Sequence, residues 1–205
     1  DLESYGKPLI FVDSNTLYLG HSCVTTDLED SVITALEYFL EQGHKEIGLL
    51  VGQEETADAT PLQMDPRQRT FQQFLTEKGL YEERFVSVGQ FSTDSGYQMM
   101  EQLIQALGDD LPTAFFMASD ALAVGALRSL QEHQIAVPDR VSLISFNDTS
   151  IAKYVFPALS TVTVYTEEMG KQAIQLLRQT FQGNQPSVPY MVKLATKLTI
   201  RDSSR

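Results

Sequence analysis

Residues 112–126 have the sequence PTAFFMASDALAVGA, which joins three kinds of segment. The apolar run Thr113–Met117 predicts a buried strand, and the polar pair Ser119–Asp120 follows it closely. Apolar residues at helical spacing begin at Leu122 and predict a helix. A buried strand that leads directly into a helix is the repeating unit of a parallel α/β sheet, so this stretch indicates the fold class.

The same alternation of strand and helix extends along the chain in both directions. The other predicted strands are Leu9–Val12, Ile47–Val51, Phe85–Val88 and Val141–Phe146, and the tail Val188–Ile200 is strand-like. Helix starts are predicted at a capping box of Thr26 and Glu29, at Asp65 before Pro66, at Ser92 and at Thr166. We therefore expect an α/β protein with parallel, doubly wound sheets.

Composition and charge restrict the partners of this chain. Its 27 acidic and 15 basic residues give a net charge of −12, so the surface should repel nucleic acid. The single cysteine, Cys23, excludes an intrachain disulfide and fits a reducing cytoplasm. No segment has the apolar length that crosses a bilayer, so we expect no membrane partner.

Polar residues follow several of the predicted strands, where ligands bind in open α/β sheets. Asp13 follows the first strand, and the pairs Ser119–Asp120 and Asn147–Asp148 follow two later ones. Carboxylates and amides can each engage two neighbouring hydroxyl groups of a sugar. The same residue types also serve as helix N-caps, and capping is the alternative for Asp120 and Asp148.

Two further residues suggest ligand contacts. Arg67 lies in the first turn of its helix, where the dipole does not favour a cation, so a ligand or an acidic neighbour should hold it. Phe91 precedes the cap Ser92 and could offer its ring to a sugar. The alternative for Phe91 is an apolar staple on its own helix.

Signals for catalysis and for cofactors are absent from the sequence. The three histidines, His21, His44 and His133, lack metal-ligand spacing, and no glycine-rich phosphate loop follows a strand. No base, nucleophile and orienting group form a recognisable set. We therefore predict no enzyme, no catalytic residues, no metal and no cofactor.

Several blocks of the chain resemble the LacI/GalR family of transcription regulators. The similarity rests on residues 27–51, on the Arg67–Phe71 segment with Thr70 in place of a glycine, and on Phe91–Tyr97. Residues 112–126 resemble the family's most recognisable block, with Ser119 where asparagine is usual. Val137–Asp148 and Pro157–Val162 are similar to its two closing signatures, with Asn147 in place of the usual aspartate.

The resemblance implies a two-lobed, type I periplasmic-binding-protein-like fold whose first lobe is N-terminally truncated in this chain. Residues 1–23 and 164–190 would be the remnant of that lobe, and residues 24–163 and 191–205 the C-terminal lobe. The family pattern also implies a ligand in the cleft between the lobes. Asp13, Arg67, Phe91, Ser119 and Asn147 match its effector-contacting positions.

The function implied by the resemblance is sugar sensing by a homodimeric transcriptional repressor, with galactose or another hexose as the effector. Operator DNA would be bound only by a helix-turn-helix headpiece that this chain does not contain. A free-standing sugar-binding protein of a transporter has the same fold and is the alternative. A signal peptide or a headpiece upstream would distinguish the two.

Overall fold

The computed structural model describes residues 6–53, 64–182 and 187–205, which fall into two compact units. The smaller unit lies within Asp1–Asp27 and Val164–Thr196, and the larger one comprises Leu28–Thr163 and Lys197–Arg205. The division differs from the predicted boundaries, which assigned residues 24–27 and 191–196 to the larger lobe. The structure places these segments in the smaller unit because they form two paired strands of its sheet.

A six-stranded sheet forms the centre of the larger unit. Its strands are β3 (Ile47–Gly52), β4 (Val86–Gly89), β5 (Ala114–Met117), β6 (Ser142–Asn147), β7 (Ser160–Thr163) and β9 (Lys197–Thr199). Their spatial order is β4-β3-β5-β6-β7-β9. All neighbours are parallel except β7 and β9, which are antiparallel. The predicted parallel sheet is thus confirmed, and the carboxyl ends of its first five strands lie at one edge.

The helices of the larger unit begin and end largely where the local signals predict. They are α1 (Leu28–Glu41), α2 (Pro66–Glu77), α3 (Thr93–Leu107), α4 (Asp120–Glu132) and α5 (Ile151–Tyr154). Asp65 caps α2 by accepting from the backbone N–H of Arg67, and Ser92 caps α3 by accepting from Ser95. The predicted capping box of Thr26 is wrong, because Thr26 is the last residue of a strand and α1 begins at Leu28.

Aromatic side chains fill the core of the larger unit. The fully buried ones are Phe39 of α1, Phe71 of α2, Phe85, Phe115 and Phe116 of β5, and Phe146 of β6. Burying each such side chain contributes about 1.5–3 kcal/mol to the free energy of unfolding. The strands therefore have a rigid base, and the loops at their carboxyl ends start from fixed positions.

The smaller unit has a three-stranded parallel sheet covered by one helix. Its strands are β1 (Phe11–Val12), β2 (Cys23–Thr26) and β8 (Met191–Leu194), in the order β1-β2-β8, and its helix is α6 (Thr166–Phe181). Val24, Met169 and Leu176 form its buried core. The strand-like tail predicted at 188–200 is thus two strands, of which β8 pairs with β2 and β9 pairs with β7 of the larger unit's sheet.

Candidate ligand-binding site of the larger unit

The candidate site lies at the edge of the larger sheet where the parallel strands end. Gly52 ends β3, Phe91 follows β4, Ser119 follows β5 and Asn147 ends β6. In the sheet, β3 lies between β4 and β5, and β6 lies on the other side of β5. Four of the five predicted ligand residues belong to this unit: Arg67, Phe91, Ser119 and Asn147.

The Arg67 guanidinium is held by three hydrogen bonds at this edge. Its Nε donates to Asp65 Oδ1 at 2.9 Å and its Nη2 donates to Asp65 Oδ2 at 2.7 Å, so the carboxylate holds two nitrogens of the guanidinium. Its Nη1 donates to the carbonyl oxygen of Ala118, at the end of β5, at 2.7 Å. The Arg67 and Asp65 side chains are only 12% and 11% exposed, so the pair is largely shielded from water. The predicted acidic neighbour of Arg67 is therefore its own helix cap.

Two aromatic rings flank the same guanidinium. The Arg67 Cζ lies 4.9 Å from the ring centroid of Phe91 and 5.3 Å from that of Phe146. Both distances are those of cation–π contacts, which orient the guanidinium plane as well as stabilise it. Arg67 and Phe91 are thus brought together, as the binding hypothesis requires. The staple alternative for Phe91 fails, because the staple position on α3 is Gly96, which has no side chain.

Gly52 gives the Phe91 ring its place. A Cβ atom at Gly52 would lie 2.4 Å from two carbons of that ring, a distance that non-bonded carbon atoms do not tolerate. The end of β3 therefore needs a glycine for the ring to lie across it. The predicted strand ended at Val51, and no sequence pattern connects Gly52 with Phe91.

Ser119 and Asn147 differ in how their side chains are engaged. The Ser119 hydroxyl caps α4 by accepting from the backbone N–H of Leu122 at 3.3 Å, and the residue is 7% exposed. Asn147 is exposed and has φ +110° at the end of β6. Such a conformation is costly for most residues with a Cβ and is enriched at functional sites. A ligand role for either residue stays a prediction.

Asp13 lies in the smaller unit, after β1. Its backbone N–H donates to the carbonyl oxygen of Val24, and its φ is +62°. Its predicted ligand contact stays a prediction.

The capping alternative for Asp120 and Asp148 is wrong for both residues. The cap of α4 is Ser119, and Asp120 is the buried first residue of that helix. The Asp120 carboxylate accepts from the Thr149 backbone N–H and hydroxyl, and from the hydroxyls of Ser145 and Thr161. Asp148 instead pairs with Arg201 at 2.7 Å and accepts from Thr163. Both carboxylates fix the β6–α5 loop that directly follows Asn147.

Asp65 and Phe146 are the functional candidates that sequence analysis missed. Asp65 was predicted only as a cap, although an aspartate two residues before an arginine at a helix start places both in reach of each other. Phe146 was predicted only as a strand residue, and its contact with Arg67 joins residues 79 positions apart along the sequence. No spacing rule predicts a contact of that kind.

The arrangement offers hydrogen-bond donors beside an aromatic face, which is the chemistry that recognises a hydroxylated ring. Over residues 6–53, 64–182 and 187–205, no group of three or more acidic, histidine or cysteine side chains could hold a metal ion. In the same part of the chain, no helix is both long and apolar enough to span a membrane.

Comparison with known proteins gives a consistent set of relatives. Residues 36–204 match the periplasmic binding protein-like domain. The chain is 52% identical over 204 residues to the HTH-type transcriptional regulator GalR of Streptococcus thermophilus, covering 100% of this chain and 61% of that protein. It is 37% identical over 203 residues to the GalR regulator of Lacticaseibacillus casei, covering 99% of this chain and 61% of that protein.

A solved structure supports the same relationship. The complex of the transcriptional regulator CelR with cellobiose is 28% identical, with a TM-score of 0.83, and the match covers 98% of this chain and 60% of that chain. The present chain thus spans 61% of the length of each of the two GalR regulators. The predicted periplasmic-binding-protein-like fold is confirmed by these matches.

Proposed function

The chain belongs to the family of periplasmic binding protein-like domains, with LacI/GalR-type regulators as its relatives, and from this we propose that it senses a sugar for a transcription regulator. The observation that carries the proposal is the 52% identity with a GalR regulator over the whole of this chain. The effector we propose is galactose or a galactoside, since two of the relatives carry the name GalR.

The site of the larger unit supports a sugar as the ligand. Arg67 and Phe91 combine guanidinium N–H donors with a ring face, and Ser119 and Asn147 add a hydroxyl and an amide at the neighbouring strand ends. Hydrogen bonds to a sugar's hydroxyls and contact with its C–H face need these two kinds of group. We propose that these four residues contact the effector without catalysis.

DNA contact is proposed to lie outside this chain. The relatives are HTH-type regulators, and this chain spans 61% of the length of each GalR protein. A net charge of −12 opposes binding of these 205 residues to a polyanion. We propose that a helix-turn-helix segment of the intact protein contacts the operator, in the cytoplasm, and that effector binding changes its affinity through two states that bind the sugar unequally.

Isothermal titration calorimetry with the intact protein tests the sensing role. The panel would contain galactose, lactose, glucose, cellobiose and ribose, and we expect saturable binding of galactose or lactose. Arg67→Ala should abolish the heat signal, whereas Arg128→Ala is the matched control, since Arg128 is an exposed arginine in an ion pair on α4. Binding of none of these sugars would overturn the proposal.

A second measurement separates a regulator from a transport protein. The intact protein should retard a DNA fragment from its own promoter region, and the effector sugar should change the amount retarded. Sugar binding without any DNA binding would instead favour a free-standing sugar-binding protein.

We also propose that the intact protein is a homodimer formed through an exposed apolar patch of the larger unit. The patch consists of Ile151, Tyr154 and Phe156, which are 43%, 83% and 85% exposed. Large exposed apolar patches are uncommon on monomers and often mark interaction surfaces. A second copy would cover the patch by symmetric contact.

Sedimentation velocity on the intact protein tests the patch. Phe156→Glu should shift the protein toward the monomer at micromolar concentration. Tyr18→Glu is the matched control, because Tyr18 is 82% exposed in the smaller unit and should leave the dimer intact. A dimer that survives both Phe156→Glu and Tyr154→Glu would contradict this surface.

A further inference from the structure

The charge of Arg67 is already neutralised within the protein. Asp65 engages the Nε and Nη2 groups together, at 2.9 and 2.7 Å, in the two-point geometry that a guanidinium offers to a carboxylate or phosphate. One of the two edges through which Arg67 could hold an anion at two points is therefore occupied by a side chain two residues away. Displacing Asp65 would also remove its hydrogen bond to the Arg67 backbone N–H, at 2.8 Å, and so uncap α2.

The remaining N–H groups of Arg67 suit an uncharged ligand. A guanidinium has five N–H groups. Three of them donate to Asp65 and Ala118, which leaves one N–H on each terminal nitrogen without an acceptor among the residues that the structure describes. Two separate N–H groups on a charge-compensated guanidinium can donate to hydroxyl oxygens, which need no countercharge.

The other charged side chains at this edge add no uncompensated cation. Asp120 is a buried carboxylate that receives its hydrogen bonds from neutral groups of Ser145, Thr149 and Thr161. Asp148 is paired with Arg201, so that cation is also neutralised. The described carboxyl ends of β5 and β6 thus present a local charge that repels an anion.

We infer that Asp65 is a specificity-determining residue that makes the site select an uncharged sugar over its phosphorylated or carboxylated forms. The inference rests on the proposed sugar-sensing function and adds a chemical class to it. Asp65 achieves this selection mainly by cancelling the charge of Arg67, and it also occupies one of its two bidentate edges. An intracellular sensor of this kind responds to the free sugar and ignores the products of a kinase or an oxidase acting on it.

Asp65→Asn separates the charge of this residue from its capping role. Asparagine caps helices as well as aspartate does, so α2 keeps its start while Arg67 loses its countercharge. The control is Asp139→Asn, which removes the acid of an exposed pair with Arg205 before the amino end of β6 and changes the net charge by the same amount. Thermal unfolding of each variant verifies that both are folded.

The binding experiment uses calorimetry on the intact protein with galactose, galacturonate, galactose 1-phosphate and galactose 6-phosphate. The wild type and the Asp139→Asn variant should bind galactose and reject the three anions. Asp65→Asn should raise the affinity for at least one of the anions by about tenfold or more, since an uncompensated guanidinium attracts an anion across a partly buried site.

Each outcome has one meaning. If galactose binds but Asp65→Asn changes the affinity for galactose and for all three anions by the same factor, Asp65 is only a cap and the inference is wrong. Tight binding of an anion by the wild type also overturns it. If the wild type binds neither galactose nor any anion, the proposed sugar-sensing function fails first. Should Asp65→Asn fail to fold, Asp65→Ser, which also caps without charge, gives the same test.

Discussion

Gly52 lies directly against the ring of Phe91, so closely that a Cβ at position 52 would stand 2.4 Å from the ring carbons. The contact joins the end of β3 to the loop after β4, and these two strands are neighbours in the sheet. Arg67 packs on the same ring, at 4.9 Å from its centroid. The smallest residue at the edge therefore determines where the aromatic face and the cation of the site can be.

Gly52→Ala should displace Phe91 and weaken sugar binding. The added methyl group forces the ring from its place, at a cost of about 1–3 kcal/mol in the free energy of unfolding. Urea unfolding measures that loss, and calorimetry with galactose measures the affinity. Gly170→Ala is the matched control, because no atom lies within 4 Å of its added Cβ and alanine favours the helix by about 0.5–1 kcal/mol. An unchanged Gly52→Ala protein would contradict the close contact.

Arg67→Lys should lower the affinity for the sugar although it conserves the charge. An ammonium cannot hold Asp65 at two points, donate to Ala118 and contact two rings at once. A hydrogen bond involving a charged group contributes about 1.5–3 kcal/mol, so losing one lowers the affinity about tenfold to a hundredfold. Arg128→Lys, on an exposed i,i+4 pair, should bind sugar as the wild type does. If Arg67→Lys and Arg128→Lys bind the sugar with equal affinity, Arg67 does not contact the ligand.

Ser119→Ala should destabilise the protein by about 1 kcal/mol, because the cap of α4 is lost. Ser119→Asn should restore that stability, since asparagine also caps. Calorimetry on the same variants tests the ligand contact separately. If Ser119→Ala binds galactose with wild-type affinity, Ser119 is a cap and no ligand residue.

Asp120→Asn should destabilise the larger unit by about 2–4 kcal/mol. The carboxylate now accepts hydrogen bonds from three hydroxyls and one backbone N–H, and the new amide NH2 would face these donors with a donor of its own. Urea unfolding measures this change. Asp202→Asn, at an exposed aspartate near the end of the chain, is the control and should change stability little. Equal stability of the two variants would show that the hydrogen bonds of Asp120 do not support the loop after β6.

Local rules predicted a large part of this fold. The strands at 47, 114 and 142 are short apolar runs, and Asp65 and Ser92 mark helix starts. These signals are readable because the groups that satisfy each other are neighbours along the chain. The candidate ligand residues Ser119 and Asn147 were predicted in the same way, since each comes where a strand ends. Phe91 was predicted from its place just before the cap Ser92.

Such local rules could not predict the boundary between the two units or the contacts between residues far apart along the chain. Residues 23–26 belong to the smaller unit because they pair with residues 191–194. No local pattern in either segment predicts that pairing. The network of Asp120 likewise depends on hydroxyls of Ser145, Thr149 and Thr161, which are 25, 29 and 41 positions away.

The sequence by itself determined the parallel α/β architecture, the start of most helices and the family resemblance, because those follow from periodicity and from short motifs. Only the tertiary structure decided that Arg67, paired with its local neighbour Asp65, contacts both Phe91 and Phe146, with Gly52 against the Phe91 ring. The physical reason is that the order of strands in the sheet brings together residues that are far apart along the chain. Arg67 can contact Phe91 and Phe146 only because this order places them within its reach.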